Sequence, residues 1–405
     1  MNLRILHVLS SPHLGGAEQV CLYLAQAQLA AGHEVALHVL IDGRVTEAAR
    51  AAGIPTFCSD TGQRERRLPR RVRWETATAD LSATTRQFGP DLVHSHVPLT
   101  NLMCHRALSR SSTSWIATIH GSWRQFGYAP QTQDRPYLKP YLWLRHGAGA
   151  FWTTRSAARV VAVSDSVRRD LERIGISSRR IVRIHNGLPN GNPLISAEAG
   201  RTRLSIPADA LVIGSLGFFA PVKGFDLLIH AFALLAPRYP QLLLAIAGGD
   251  VLGQDSIRRS LHMLAERLGV SGRVRFLGPT DGKGGFLSAL DIYVVSSRTE
   301  GLPLSLLEAM KHGKPSVVSS AGGCMEAARP ELEGLVFKSG NVQSLAQAIE
   351  RLIDDRELRE SMGHAAQVRV QDYFTLRRCA EEYEQLCHAV LAPQGSVAKC
   401  MPSHG

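Results

Sequence analysis

Apolar and polar positions follow two rhythms along this chain. Short apolar runs of strand length alternate with segments whose apolar residues return every three to four positions. Residues 3–9 (LRILHVL) predict a strand, 17–31 (AEQVCLYLAQAQLAA) a helix that Gly32 stops, and 34–40 (EVALHVL) the next strand. Further strands are predicted at 91–94, 115–119, 160–163 and 181–184. This order argues for a mostly parallel, doubly wound sheet. Residues 188–207 (LPNGNPLISAEAGRTRLSIP) interrupt the rhythm and read as a linker. A second series follows, with strands at 211–216, 242–247, 274–277, 292–295 and 316–318 and helices at 225–235, 256–268 and 304–312. The whole predicts a two-domain α/β protein with a cleft between its halves. The expected division is 1–190 and 191–374, with a helix at about 375–391 packing back on the first domain and a flexible tail over 392–405.

Composition fits this picture. The 405 residues are enough for two or three domains, each with its own core. Apolar residues are 44% and charged residues 20%, which excludes a disordered chain, and no run of 18 apolar residues suggests a membrane span. The charge is less ordinary. The net value is +11, and all of it lies in the first half: residues 1–190 carry 24 Lys/Arg against 13 Asp/Glu, and 191–405 carry 22 of each. Seven scattered cysteines with no CxxC pair read as thiols in a reducing compartment rather than as disulfides or a zinc site. The N-terminal apolar stretch is too short for a secretory leader. The expectation is a cytoplasmic enzyme, able to sit peripherally on a membrane face.

Three segments carry candidate chemistry. The first is the turn Leu14-Gly15-Gly16-Ala17-Glu18 after strand one. Its glycines let backbone N–H groups approach a phosphate or sugar at a helix N-terminus. It is not the GxGxxG dinucleotide fingerprint. The second is 217–224 (GFFAPVKG), which places Lys223 at a strand-to-helix handover, where a cation can meet a diphosphate. The third, 297–310 (SRTEGLPLSLLEAM), is the most informative. Pro303 is expected at the first helical position and Gly313 at the stop. Glu300 then precedes the helix, and Glu308 lies roughly 8 Å along it. N–H groups of Thr299, Gly301, Leu302 and Leu304 around the helix start are expected to help hold a diphosphate. A carboxylate on either side suits the vicinal diols of a sugar and a ribose, because charged acceptors make the stronger hydrogen bonds.

On these residues the chain resembles the retaining nucleotide-sugar glycosyltransferases of family 4, which have the GT-B fold of two Rossmann-like domains with parallel sheets facing an interdomain cleft. The resemblance also covers 91–96 (DLVHSH), Thr118-Ile119-His120-Gly121, Val163-Ser164, Asn186-Gly187, 247–249 (AGG) and 321–323 (AGG), in family order. It implies that Glu300 contacts the donor hexose, Glu308 the ribose hydroxyls and Lys223 the diphosphate. It implies that Gly16 approaches the phosphate from the opposite domain, that His120 hydrogen-bonds donor sugar or phosphate, and that Asn186 lines the cleft. It further implies hexosyl transfer from a UDP-, GDP- or ADP-sugar to a glycan or lipid-linked acceptor of cell-envelope polysaccharide or glycolipid synthesis, with no other cofactor. No Asp-x-Asp triplet is present, so no metal is expected.

One departure stands out. The family usually has Arg-x4-Lys in the strand-to-helix loop, and here Phe218 holds the arginine position. Either another cation substitutes, with Arg298 nearby in sequence, or activity is low, or the chain is a catalytically weakened sugar-nucleotide-binding relative or subunit. Pro189 also stands where the family often has Asp. Of the 16 histidines, His94 and His96 are expected on opposite strand faces, and no histidine pair suggests a metal site. Residues 64–73 (RERRLPRRVR), with Arg168, Arg169, Arg173, Arg179, Arg180 and Arg183, make the first half basic. Without an aromatic platform this argues against nucleic acid and for an anionic membrane surface or acceptor.

Overall fold

A computed structural model describes residues 2–59, 70–128, 138–191, 195–250, 255–279 and 283–392. Among these, seven strands form the first sheet: β1 (Arg4–Leu9), β2 (Glu34–Val39), β3 (Thr56–Cys58), β4 (Leu92–His96), β5 (Ser114–Ile119), β6 (Arg159–Ala162) and β7 (Ile181–Arg183). Six form the second: β8 (Leu211–Leu216), β9 (Leu242–Ala247), β10 (Val274–Leu277), β11 (Ile292–Val295), β12 (Ser316–Ser319) and β13 (Gly334–Phe337). The orders are β3-β2-β1-β4-β5-β6-β7 and β10-β9-β8-β11-β12-β13, with every named pairing parallel. Strands buried on both faces need near-continuous apolar sequence, and β11 (IYVV) is buried at all four positions. In each sheet the strand order reverses beside the first strand, between β1 and β4 and between β8 and β11. The crevice beyond the strand ends at such a reversal is where doubly wound sheets take ligands.

The segment expected as a linker is not all irregular. Ser196 caps a helix, Ala197–Arg203, by accepting from the Ala199 N–H at 3.1 Å. Gly200 lets that helix close on the helix Lys283–Ala289, since a Cβ there would lie 2.5 Å from the Gly285 carbonyl oxygen. Seven residues are too few to show a helical period, so the reading as linker is corrected here. The expected tail beyond 392 and the arginine run at 64–69 lie outside the described residues.

The chain crosses between the sheets twice, side by side. On the return, Leu188 N–H donates to Phe374 O and Leu376 N–H to Leu188 O, both at 2.7 Å. The helix Leu376–Leu391 then lies on the first sheet. Its Cys379, Tyr383, Leu386 and Cys387 pack with Leu3, Ile5, Leu92, Ile116 and Val161. The Tyr383 and Thr118 hydroxyls are 2.9 Å apart. No helix among the described residues is long and apolar enough to cross a membrane.

Candidate active site

The second-domain wall is built at the ends of β8 and β11. After β8 the chain makes a short turn, Pro221–Lys223, and enters the helix Phe225–Leu235 through Gly224. Gly224 has φ +65°, and a Cβ on it would sit 2.2 Å from the Ser296 carbonyl oxygen. Only glycine fits there, and that fit sets Lys223 against the segment after β11. Lys223 Nζ reaches Glu300 Oε1 at 2.6 Å, and the Ser297 hydroxyl donates to the same oxygen at 2.6 Å. The helix Leu304–Lys311 begins beyond them. Pro303 is its N-cap rather than its first helical residue, because its ψ of 121° is extended. It supplies no side-chain cap, which leaves the first N–H groups of the helix to a ligand. Glu308 is half-buried inside that helix. Its charge adds to burial in raising the phenol pKa of Tyr23, in the first domain, to about 12 and that of Tyr293 well above its usual range.

Arg298 does not fill the place of the missing arginine. Its guanidinium forks onto Asp226 at 2.8 and 2.6 Å and donates to Pro221 O at 2.6 Å. The expectation that it substitutes is corrected on that ground. Phe218 is half-buried and faces the other domain: its ring would lie 3.2 Å from a Cβ on Gly15.

The first-domain wall starts at that Gly15, the extended N-cap of the helix Gly16–Ala30. The Glu18 carboxylate accepts its N–H at 3.1 Å, and a Cβ would meet that carboxylate at 2.7 Å. Burial raises the Glu18 pKa. Around Gly16 there is open space. A cavity of about 260 Å³ opens here, lined by Gly16, His120, Trp123, Gln125, Asp170 and Phe218, among others. Asp170 accepts from Ser122 Oγ at 2.5 Å and from Arg173 at 2.9 Å.

Behind His120 runs a histidine row. Register puts His7 of β1 beside His94 of β4. Residues two apart on a strand share a face, so the expectation of opposite faces for His94 and His96 is wrong. Their ring centroids are 4.0 Å apart. His7 Nδ1 lies 3.0 Å from His96 Nε2, and His96 Nδ1 lies 3.1 Å from His120 Nε2. His7 Nε2 meets Gln28 Oε1 at 2.8 Å. Burial lowers the pKa of His7 and His120 to about 4 and those of His94 and His96 well below the usual value. The imidazoles are therefore neutral. His7, Cys21 and His96 also bring ligand atoms within 4.8 Å of one another, which corrects the expectation that no histidine pair has metal-site company. Both nitrogens of His7 and of His96 already take part in the hydrogen-bonded row.

The two walls touch at several points. A Cβ on Gly301 would fall 2.0 Å from the His120 carbonyl oxygen, so glycine is required for this approach. Asn186 Nδ2 donates to Leu302 O at 2.8 Å. Glu326 accepts from the Asp165 and Ser166 N–H groups at 2.8 and 3.0 Å, capping the first-domain helix Asp165–Arg173, and lies 3.2 Å from His185 Nε2. The predicted residues Gly16, His120, Asn186, Lys223, Glu300, Gly301 and Leu302 thus come from distant segments to one cleft. Thr299, Pro303, Leu304 and Glu308 fall on the segment and helix that form one side of it. Sequence reasoning missed Gln28, Glu326 and the role of His7 and His96, because no local motif marks them.

The profile described as "Glycosyltransferase Family 4" matches residues 14–189, and that described as "Glycosyl transferases group 1" matches 197–369. The lipopolysaccharide core biosynthesis glycosyltransferase LpsE of Rhizobium meliloti is 34% identical over 208 residues, covering 51% of this chain and 58% of LpsE. The D-inositol 3-phosphate glycosyltransferase of Saccharomonospora viridis is 28% identical over 309 residues, 72% of this chain and 68% of that protein. The chain thus spans little more than half the length of LpsE. Among solved structures, Anabaena Alr3699/HepE in complex with UDP and glucose superposes with a TM-score of 0.82 at 21% identity, over 95% of this chain and 99% of that one. This structural likeness speaks for the fold.

Proposed function

Because the chain belongs to the group 1 glycosyltransferases of family 4, we propose that it moves a hexose-type sugar from a nucleoside diphosphate sugar to a glycan or lipid-linked acceptor, with retention and without a metal ion. One observation carries this reading: the Lys223–Glu300 pair stands beside an uncapped helix start, on a wall whose Gly301 and Phe218 meet His120 and Gly15 of the other domain. The solved relative bound to UDP-glucose supports a nucleotide-sugar donor. LpsE, named for lipopolysaccharide core biosynthesis, supports an envelope acceptor.

The residues suggest how such a transfer would be assisted. Lys223 and the first N–H groups of the helix Leu304–Lys311 oppose the charge that grows on the leaving diphosphate. Glu300, held by Lys223 and Ser297, accepts from hexose hydroxyls, and Glu308 from those of the ribose. The leaving phosphate takes the acceptor's proton on the same face from which it departs, so no protein nucleophile is required. Placement by two closed walls supplies the rest. Turnover in a screen of UDP-, GDP- and ADP-sugars, undiminished by EDTA, is the expected result. Loss of turnover in EDTA with recovery on added manganese or zinc overturns metal independence. A Glu308→Ala variant with unaltered donor affinity overturns the site.

A second reading rests on Phe218: a relative that binds nucleotide sugars but turns them over weakly. Donor binding without hydrolysis or transfer across the same screen selects it.

For the acceptor side, we propose contact with an anionic membrane face. The arginine cluster is partly engaged within the fold: Arg168 pairs with Asp165 and Glu172, Arg173 with Asp170, and Arg183 approaches Asp165. The helix Leu138–Thr154 adds what the sequence did not suggest, an apolar stripe of Tyr141, Leu144 and Trp152, 59%, 74% and 56% exposed. Arg155 stacks over Trp152 at 4.7 Å. Apolar residues beside cations suit a headgroup interface. Co-sedimentation with anionic vesicles at low salt, lost in Leu144→Asp, is expected. Failure of the unaltered chain to co-sediment overturns it.

A further inference from the structure

We propose that Gln28, acting through His7 and His96, fixes the tautomer of His120 so that its Nδ1 presents a bare lone pair to a substrate hydroxyl. The inference rests on the glycosyltransferase reading above and narrows what His120 recognises.

A neutral imidazole carries one N–H and one bare nitrogen. The row therefore has a direction, set where it ends on a group of fixed role. That end is Gln28 Oε1, a carbonyl oxygen that only accepts, 2.8 Å from His7 Nε2. His7 must carry its proton on Nε2, which leaves Nδ1 bare. His96 Nε2, 3.0 Å away, must then donate to it. His96 Nδ1 is bare in turn and accepts from His120 Nε2 at 3.1 Å. His120 is left with a bare Nδ1. That atom is buried and has no hydrogen-bond partner, and His120 lines the cavity that Gly16 and Phe218 border. Burial keeps the row uncharged, so no imidazolium breaks the sequence of donors.

The consequence is selective. A bare nitrogen needs a partner that donates. A sugar hydroxyl does so, and an ionised diphosphate oxygen has no proton to give. A buried acceptor left without a partner is costly, so the free site favours a ligand that brings a hydroxyl. His120 therefore reads the sugar and leaves the diphosphate to the other wall. Gln28, His7 and His96 are positioning residues.

The test reads the tautomer directly. In the full chain with 15N-labelled histidine, long-range proton–nitrogen NMR is expected to find His120 protonated on Nε2 alone. A proton on Nδ1, or a charged ring at neutral pH, overturns the proposal. Gln28→Glu keeps an acceptor facing His7 and is expected to keep the tautomer. Gln28→Leu removes it and is expected to yield a mixture. In calorimetry, Gln28→Leu should weaken a nucleotide sugar about tenfold and leave the nucleoside diphosphate unchanged. A loss confined to the KM of the acceptor places the hydroxyl on the acceptor instead, and equal loss of both nucleotides marks a merely structural role and overturns the proposal. The free-protein tautomer decides the relay even if no nucleotide sugar binds, an outcome that would overturn only the functional reading.

Discussion

The two walls of the cleft stand on sheets of like strand order and present different polar groups. Both stand at the ends of parallel strands where the strand order reverses. The second-domain wall is ionic: Lys223 on Glu300 and Arg298 on Asp226, beside an uncapped helix start. The first-domain wall sets a row of imidazoles, ending at the half-buried His120, beside the Glu18 carboxylate and the Asp170–Arg173 pair, and the ring of Phe218 reaches across from the second domain to Gly15. The difference teaches a division of labour. Fixed charges partly open to water suit a mobile, charged diphosphate. Neutral donors and acceptors held without water suit hydroxyl groups, whose recognition depends on direction rather than on charge.

The largest effect that would break this contrast is expected at Lys223. Its side chain is 24% exposed and that of Glu300 is 11% exposed. Lys223→Ala leaves the Glu300 carboxylate without its cation, next to where a diphosphate would develop charge. The kcat/KM for transfer should fall about 100- to 1,000-fold, the scale of a lost transition-state donor. Thermal stability should fall as well, because a largely buried carboxylate loses its partner, so the rates are compared at a temperature where both chains are folded. A fall of less than threefold would mean that the ionic wall does not stabilise the leaving group.

The next effect belongs to the histidine row and is read as stability against pH. Burial lowers the pKa of His7 and of His120 from 6.5 to about 4 in the folded chain. Between these values the unfolded chain binds protons that the folded chain refuses, so stability falls as pH drops from 6.5 toward 4. Above 6.5 both states are neutral and the contribution is complete. His7 alone accounts for on the order of 3 kcal/mol across that window. Urea midpoints from pH 7.5 to 4.5 check it. A flat profile would show that the row is hydrated or already charged.

The first-domain wall also marks the limit of what the sequence made legible. Strands such as 211–216 and 242–247 were readable because each is a short apolar run bounded by turn residues. The donor-side residues were readable because Glu300, Pro303 and Glu308 lie within one short segment. The histidine row was not, since His7, Gln28, His96 and His120 are dispersed, and only β-sheet register and one helix bring them together. An error about strand alternation also hid the shared face of His94 and His96. The strands β3 and β13 and the helix Ala197–Arg203 were missed because three to seven residues show no clear period.

A smaller effect is expected at the seam. Burial tends to raise the Glu326 pKa, but hydrogen bonds from His185 and from two N–H groups at a helix start hold it below its ordinary value. Glu326→Ala removes the carboxylate from the first turn of Asp165–Arg173, in the other domain. The cost should be about 1–2 kcal/mol, the scale of a charged cap at a helix start. Urea unfolding measures it. An unchanged midpoint would mean that water replaces the carboxylate there and that the seam does not depend on it.

The smallest expected change sharpens the contrast most, because it sets a second-domain cation against the first-domain wall. Phe218 stands five residues before Lys223, half-buried, with its ring against Gly15 and on the cavity that Gly16 lines. Phe218→Arg offers a guanidinium whose planar fork can hold two phosphate oxygens at once. Against that gain stand the loss of an apolar contact and the partial desolvation of a charge. The two nearly offset, so the affinity for a nucleoside diphosphate should rise by no more than about tenfold, or roughly 1.4 kcal/mol. Turnover separates the two functional readings. A chain weakened by the missing cation should transfer sugar faster once the arginine is present. A chain whose leaving group is already served by Lys223 and the helix start should bind product more tightly and turn over no faster. A variant that loses both stability and affinity would show that the ring of Phe218 is there to close the two walls on each other.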